Sequence, residues 1–253
     1  SFAGIKANTF DVTRTMINGV IAGKYDEWRD RLGYDGFDER TRKRYDAVCE
    51  DMNEATAARS VNLLCELLER RYGRKPIVLL DEYDTPLTEA FLMGTAKEVI
   101  DPLRSFFVQC YKDNKYFSKC VITGITRIAQ QSLFSDFNNP CIDTMLNSDY
   151  PALMGYTEEE VKTLLKNMGR EDSLAEVKDM YDGYSFAGVS DIYNPYSVNY
   201  YLAMNELDPY WINSSQSPLP KALITKGASD MKEAMANFLS GEGVWASPRW
   251  YSI

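Results

Sequence analysis

The sequence predicts an α/β fold: a parallel sheet flanked by helices, followed by a mainly helical C-terminal region. Two short runs predict the sheet. Ile77 to Leu80, and Cys120 to Ile122 within KCVITG at 119–124, are apolar; the first run leads into the acidic turn Asp81-Glu82-Tyr83-Asp84 and the second strand ends in Thr123-Gly124. An unbroken apolar run of this length marks a strand buried on both faces, as in parallel sheets. Helix-period stretches before, between and after the two runs predict the rest.

Taken in order, Ser1 to Ile5 reads as a short strand, and its abrupt opening leads us to expect further residues upstream. Residues 8–31 have helical spacing, with Val12, Met16, Val20 and Tyr25 on one side. Residues 33–45, GYDGFDERTRKRY, are turn-rich and then charged, a solvated loop entering a helix. From Ala55 to Tyr72 a helix presents Val61, Leu64, Leu68 and Tyr72, with Leu67 beside them and Gly73 as C-cap. The 77–80 strand follows; then Thr85 is a good N-cap and Pro86 suits a first helical turn. A helix over Leu87 to Met93 and another from Asp101 to Lys112, with Leu103, Phe106, Phe107 and Cys110 inward, lead to the 119–123 strand. Thr157 and Glu160 form a capping box that opens a helix with Val161, Leu164, Leu165 and Met168 on its core face, closed by Gly169. Short helices and many aromatics fill the remainder, in YDGYSF, YNPYSVNYYL and YWINSS.

Composition narrows the function. A hydrophobic share of 45% in 253 residues supports a sizeable core and argues against disorder. The net charge of −9 leaves no bulk electrostatic footprint for nucleic acid. There is no histidine, which excludes Ser-His-Asp triads, Cys-His pairs and His-ligated zinc. Cys49, Cys65, Cys110, Cys120 and Cys141 are odd in number and form no CxxC pair, so they read as reduced, mostly buried thiols of a cytoplasmic protein. No stretch reaches membrane-span length, and no membrane partner is expected.

The acidic turn carries the chemistry. In parallel sheets ligands bind beyond the carboxyl ends of the strands. Asp81 and Glu82 at such an end have the layout of a Walker B element: the Asp supports Mg²⁺ on a nucleotide phosphate and the Glu orients the attacking water. The plainer alternative is an Asp that caps the next helix. Asp84 reads as a helix cap or as a group supporting the acid pair, and Asn138-Asn139 as a turn.

These segments together resemble the AAA-ATPase-like family, divergent P-loop ATPases of many bacteria. The resemblance rests on LLDEYDTPL at 79–87, VITGITRIAQQSLFSDFNN at 121–139, MGYTEEEVKTLL at 154–165, YDGYSF at 181–186, IYNPYSV at 192–198 and YWINSS at 210–215. It implies a P-loop NTPase-type parallel sheet, with Asp81 as metal and nucleotide ligand, Glu82 as catalytic group, Thr123 as the polar sensor of the γ-phosphate or attacking water, and Arg127 as a phosphate contact. For Thr123 the alternative is a β-branched strand residue before a turn Gly, and for Arg127 a solvated residue at a helix start. ATP and Mg²⁺ are the implied cofactors of the parent protein.

No GxxxxGK[ST] loop occurs in the 253 residues. In the family that loop lies upstream, and many relatives carry a nuclease-like PD-(D/E)xK domain downstream. The expectation is therefore a fragment: residues 1–156 a partial ATPase core lacking its central strand, and residues 157–253 a helical, lid-like region truncated at the C-terminus. The absent strand would sit between 119–123 and a strand placed between Cys141 and Tyr156. The exposed edges should leave the isolated chain aggregation-prone or marginally folded. The chain alone would be inactive while its parent hydrolyses ATP. A different class of reading is a degenerate member that acts as a protein-interaction scaffold through its Tyr-rich C-terminal half. The least supported reading is a metal-dependent phosphodiesterase using Asp81, Glu82 and Asp84.

Overall fold

The computed structural model describes residues 1–7, 9–112, 114–125, 133–134, 140–144, 149–214, 233, 236–237 and 240. They belong to two compact units that divide the chain at 138/139, the second ending at 218. Arg127, Asn138 and Asn139 lie outside the described residues.

In the first unit, α1 (Phe10–Leu32) starts where the Thr9 hydroxyl accepts the Val12 N–H, and stops at Gly33 in the left-handed region, φ 72°. Its buried stripe is Thr13, Ile17, Asn18, Ile21 and Tyr25. That is rotated from the expected one, and Val12 is exposed. The reason is polar: Asn18 is drawn inward because its amide N–H groups reach the carbonyls of Glu50 and Met52, each at 3.0 Å. Next, α2 (Glu39–Asp46) is capped by Asp38, whose carboxylate accepts the Thr41 N–H at 2.9 Å.

Helix α3 (Glu54–Tyr72) ends at Gly73, φ 66°, as its sequence requires. Its buried face is Ala57, Ala58, Leu63, Cys65 and Leu67, while Tyr72 is exposed. The helix packs against both α1 and α5 (Ala96–Tyr111), so two neighbours rather than one select its inward residues. Helix α4 (Thr85–Met93) begins at Thr85 itself, with Asp84 rather than Thr85 at the N-cap position. Helix α5 starts five residues before the expected Asp101 and runs through Pro102. Phe107 on α5 is fully buried at the centre of an aromatic cluster with Phe2, Tyr83, Phe106, Tyr111 and Phe134. Burying one such ring stabilises by about 1.5–3 kcal/mol.

Among the described residues the first unit's sheet is a parallel pair, β1 (Ile77–Leu80) and β2 (Lys119–Ile122), in register from Ile77 opposite Lys119 to Leu80 opposite Ile122. The expectation of burial on both faces fails. Leu80 is 7% exposed but Leu79 is 74% exposed, and Ile77 and Val121 are exposed with it. Among the described residues, helices cover only one face, so a run that looks uniformly buried alternates instead. Ser1 to Ile5 is not a strand. A turn at Ala3-Gly4, closed by the Ile5 N–H on the Phe2 carbonyl, folds both Phe2 and Ile5 into the core. Its backbone tie to the sheet is the Phe2 N–H on the Asp81 carbonyl, 2.9 Å.

The second unit is helices on a small antiparallel sheet. Strand β3 (Tyr156–Thr157) pairs with β5 (Val189–Tyr193), which pairs with β4 (Asp182–Phe186). The mainly helical region expected here thus also contains a small sheet. Of the strand expected between Cys141 and Tyr156, residues 145–148 lie outside the described residues, and Tyr156 pairs with Tyr193 in this sheet. YDGYSF forms a hairpin arm because Ala187 and Gly188, φ 47° and 86°, make a two-residue turn of the hairpin kind. The Thr157–Glu160 capping box opens α6 (Glu158–Asn167) as the sequence indicates. Val161 and Leu165 are buried with Val177 and Tyr181 of α7 (Leu174–Tyr181) and Val198 and Tyr201 of α8 (Pro195–Met204). Met168, expected inward, is exposed at the helix end. Lys178 joins α6, α7 and the hairpin, its ammonium 2.6 Å from Glu158 and 2.8 Å from Asp191. Those bonds, Asp191 first, raise its pKa well above the usual lysine value.

All five cysteines are free thiols. Cys65 and Cys110 are buried, Cys120 is half-buried, and Cys49 and Cys141 are exposed. Burial pushes the Cys65 and Cys120 thiols up to about 11, so both are poor nucleophiles near neutral pH.

Candidate active site

Parallel pairing brings the carboxyl ends of β1 and β2 side by side, and the two turns that leave them are stitched together. The Thr123 N–H reaches the Leu80 carbonyl at 2.8 Å, and the Tyr83 N–H returns to the Thr123 carbonyl at 3.1 Å. These bonds extend the ladder one step past the strands. They place the Thr123 hydroxyl on Asp81, donating to Oδ1 at 2.5 Å. Both side chains are exposed, so the pair faces solvent at the sheet's end.

Glu82 is half-buried beside them, with a backbone φ of 53°. A non-glycine residue in the left-handed region costs about 1–3 kcal/mol and persists only where its surroundings hold it. Here Thr85 holds it: its hydroxyl donates to Glu82 Oε2 at 3.0 Å and its N–H to the Glu82 carbonyl at 3.3 Å. Tyr83 and Asp84 turn inward. Burial, and then the charge of Asp84, push the Tyr83 phenol well above the usual tyrosine value. Asp84 Oδ2 accepts the Ile125 N–H at 3.1 Å, and no side-chain bond caps α4. Asp84 thus takes the cap position of α4 without a side-chain cap bond, and its carboxylate reaches the turn after β2 instead.

The structure thus joins Asp81 to Thr123 directly and sets Glu82 next to them, while Arg127 lies outside the described residues. Sequence reasoning missed Gly124 and Thr85. A Cβ on Gly124 would lie 2.5 Å from Tyr83 Cε1 and 2.6 Å from Asp84 Oδ1, so only glycine fits. Thr85 was legible in principle, since a hydroxyl three residues after a carboxylate at a helix start is within its reach.

Among the described residues, no group of three or more Cys, Asp or Glu side chains forms a metal-holding set. An exposed single carboxylate still suits Mg²⁺, which takes one or two carboxylates and completes its shell with phosphate oxygens and water.

The family model described as Predicted AAA-ATPase matches residues 3–134, just over half of the chain and all of this site. The chain belongs to the predicted AAA-ATPase family. A protein of Azotobacter chroococcum mcd 1, described as an uncharacterized protein in the vnfD 5' region, is 29% identical over 159 residues. That match covers 61% of this chain and 30% of the relative, so the chain spans about a third of that relative's length. No solved structure matches the chain.

Proposed function

We propose that these residues carry the Walker B half of a Mg²⁺-dependent ATPase site. The supporting observation is the Thr123 hydroxyl on Asp81 at adjoining ends of two parallel strands, where ligands of such sheets bind. In this reading Asp81 is the carboxylate that would hold Mg²⁺, and Thr123 orients it. A bound Mg²⁺ would supply positive charge to offset the charge that develops in phosphoryl transfer. Glu82 orients the attacking water and receives its proton, and Thr85 fixes the Glu82 carboxylate at rest. Arg127 is a further phosphate contact. The 253 residues contain no glycine-rich phosphate loop, so tight nucleotide binding needs that loop from outside them. Within this reading the sheet is of P-loop type and the active protein is the longer parent.

A second reading, a non-catalytic scaffold for a protein partner, is favoured by the exposed apolar face of Ile77, Leu79 and Val121. One experiment separates the two: MgATP turnover by a longer natural polypeptide that contains this segment and a phosphate loop. Glu82→Gln should keep nucleotide affinity and lower turnover about a hundredfold, equivalent to about 2.7 kcal/mol of barrier. Hydrolysis at the wild-type rate would remove Glu82 from the chemistry. No hydrolysis by the wild type would favour the scaffold.

A further inference from the structure

We propose that Asp84 is a positioning residue: its buried carboxylate holds the turn after β2 and so sets the Thr123 hydroxyl on Asp81. The catalytic consequence rests on the ATPase reading above; the positioning itself does not.

Asp84 is 1% exposed, and a buried carboxylate is costly unless bonded. Its position before α4 suggests a cap, but its backbone is helical, φ −90° and ψ −11°, rather than the extended form caps adopt. The side chain serves another segment instead. Oδ2 takes the N–H of Ile125, 41 residues away in sequence and two beyond Thr123. On the other side of Gly124, the Thr123 carbonyl receives the Tyr83 N–H. Between these ties lies Gly124, packed so closely on Tyr83 and Asp84 that no Cβ fits. Residues 123–125 are therefore clamped by the two residues that follow Glu82. Thr123 is itself exposed, so little side-chain packing fixes its hydroxyl, and the backbone clamp does so. A hydrogen bond to a charged acceptor is about twice as strong as a neutral one, which suits a carboxylate to this hold.

The test needs no nucleotide. A double-mutant cycle of Asp81→Ala and Thr123→Val, read by urea denaturation of the 253-residue chain, measures the coupling of the pair. About a fivefold effect on the unfolding equilibrium is expected. The cycle is repeated in Asp84→Ala, Asp84→Asn and Ile125→Pro backgrounds. Ile125→Pro deletes the donor at a residue that is 81% exposed, and so probes the clamp even where Asp84→Ala fails to fold. Coupling should fall below twofold in Asp84→Ala and Ile125→Pro and return in Asp84→Asn, whose amide oxygen still accepts. Exchange of the Ile125 amide should accelerate at least tenfold in Asp84→Ala and recover in Asp84→Asn. A purely structural Asp84 would lower total stability and leave the coupling intact. Unchanged coupling in Asp84→Ala or Ile125→Pro, or no coupling in the wild type, overturns the proposal. Loss of coupling together with a parent that does not hydrolyse ATP would instead refute the ATPase reading and support this one.

Discussion

Replacing Gly124 by alanine tests how tightly the two turns are joined. The added Cβ would meet Tyr83 Cε1 at 2.5 Å, Asp84 Oδ1 at 2.6 Å and Tyr83 Cδ1 at 2.7 Å, about 1 Å inside ordinary contact. Neither neighbour yields readily. Tyr83 is buried, with Phe134 at 5.2 Å and Phe107 at 6.3 Å between ring centres, so moving its ring disturbs the core. Moving Asp84 strains its bond to the Ile125 N–H. Overpacking of this kind costs about 1–3 kcal/mol, and a weakened hydrogen bond adds about 1. Loss of backbone freedom in the unfolded chain returns about 0.4–1 kcal/mol. The net is about 2 kcal/mol, a fall of about 6 °C in Tm for a protein of this size. Differential scanning calorimetry measures it. Gly23→Ala is the control: Gly23 lies within α1 with nothing within 4 Å of its added Cβ, and alanine there should stabilise by about 0.5–1 kcal/mol. A Gly124→Ala protein melting within 1 °C of wild type would refute the close stitching of the turns.

The open face of the sheet makes a sharp contrast: Leu80→Ala should cost about 2–4 kcal/mol and Leu79→Thr under about 0.5 kcal/mol, both read by urea denaturation. Equal losses would mean that both faces are covered. The Glu160 carboxyl is held below the usual value, first by the Thr157 N–H and then by its hydroxyl. Its stabilising effect is thus present above the unfolded value of about 4.3 and is lost as pH falls through the lower folded value. Glu160→Gln should flatten stability against pH in that acid window, and an unchanged acid limb would remove Glu160 from the cap. Isothermal titration of the 253-residue chain with MgATP should show nothing tighter than about 1 mM, or about 4 kcal/mol. Micromolar binding would mean that these residues hold phosphate without a glycine-rich loop.

Much of the helical framework was legible because its signals are local. Gly33 and Gly73 stop α1 and α3, Thr157 and Glu160 open α6, and each acts within one helical turn. The hairpin of YDGYSF was missed although Ala187-Gly188 followed by Val189 carried a two-residue turn signal. Which helix face turns inward was read less well. Val12 is exposed because Asn18 turns inward to the Glu50 and Met52 carbonyls, and Tyr72 because α3 packs between α1 and α5.

The candidate site divides in the same way. An acidic pair after an apolar strand is a property of consecutive residues, and so Asp81 and Glu82 were visible in the chain. The approach of Thr123 to Asp81, the inward turn of Asp84 and the need for glycine at 124 were not, because each depends on a residue about 40 positions away. The register of β1 on β2 sets those distances. The open face of the sheet is likewise a tertiary outcome. A four-residue apolar run reads the same whether one face is covered or two, and the layers packed around it decide which.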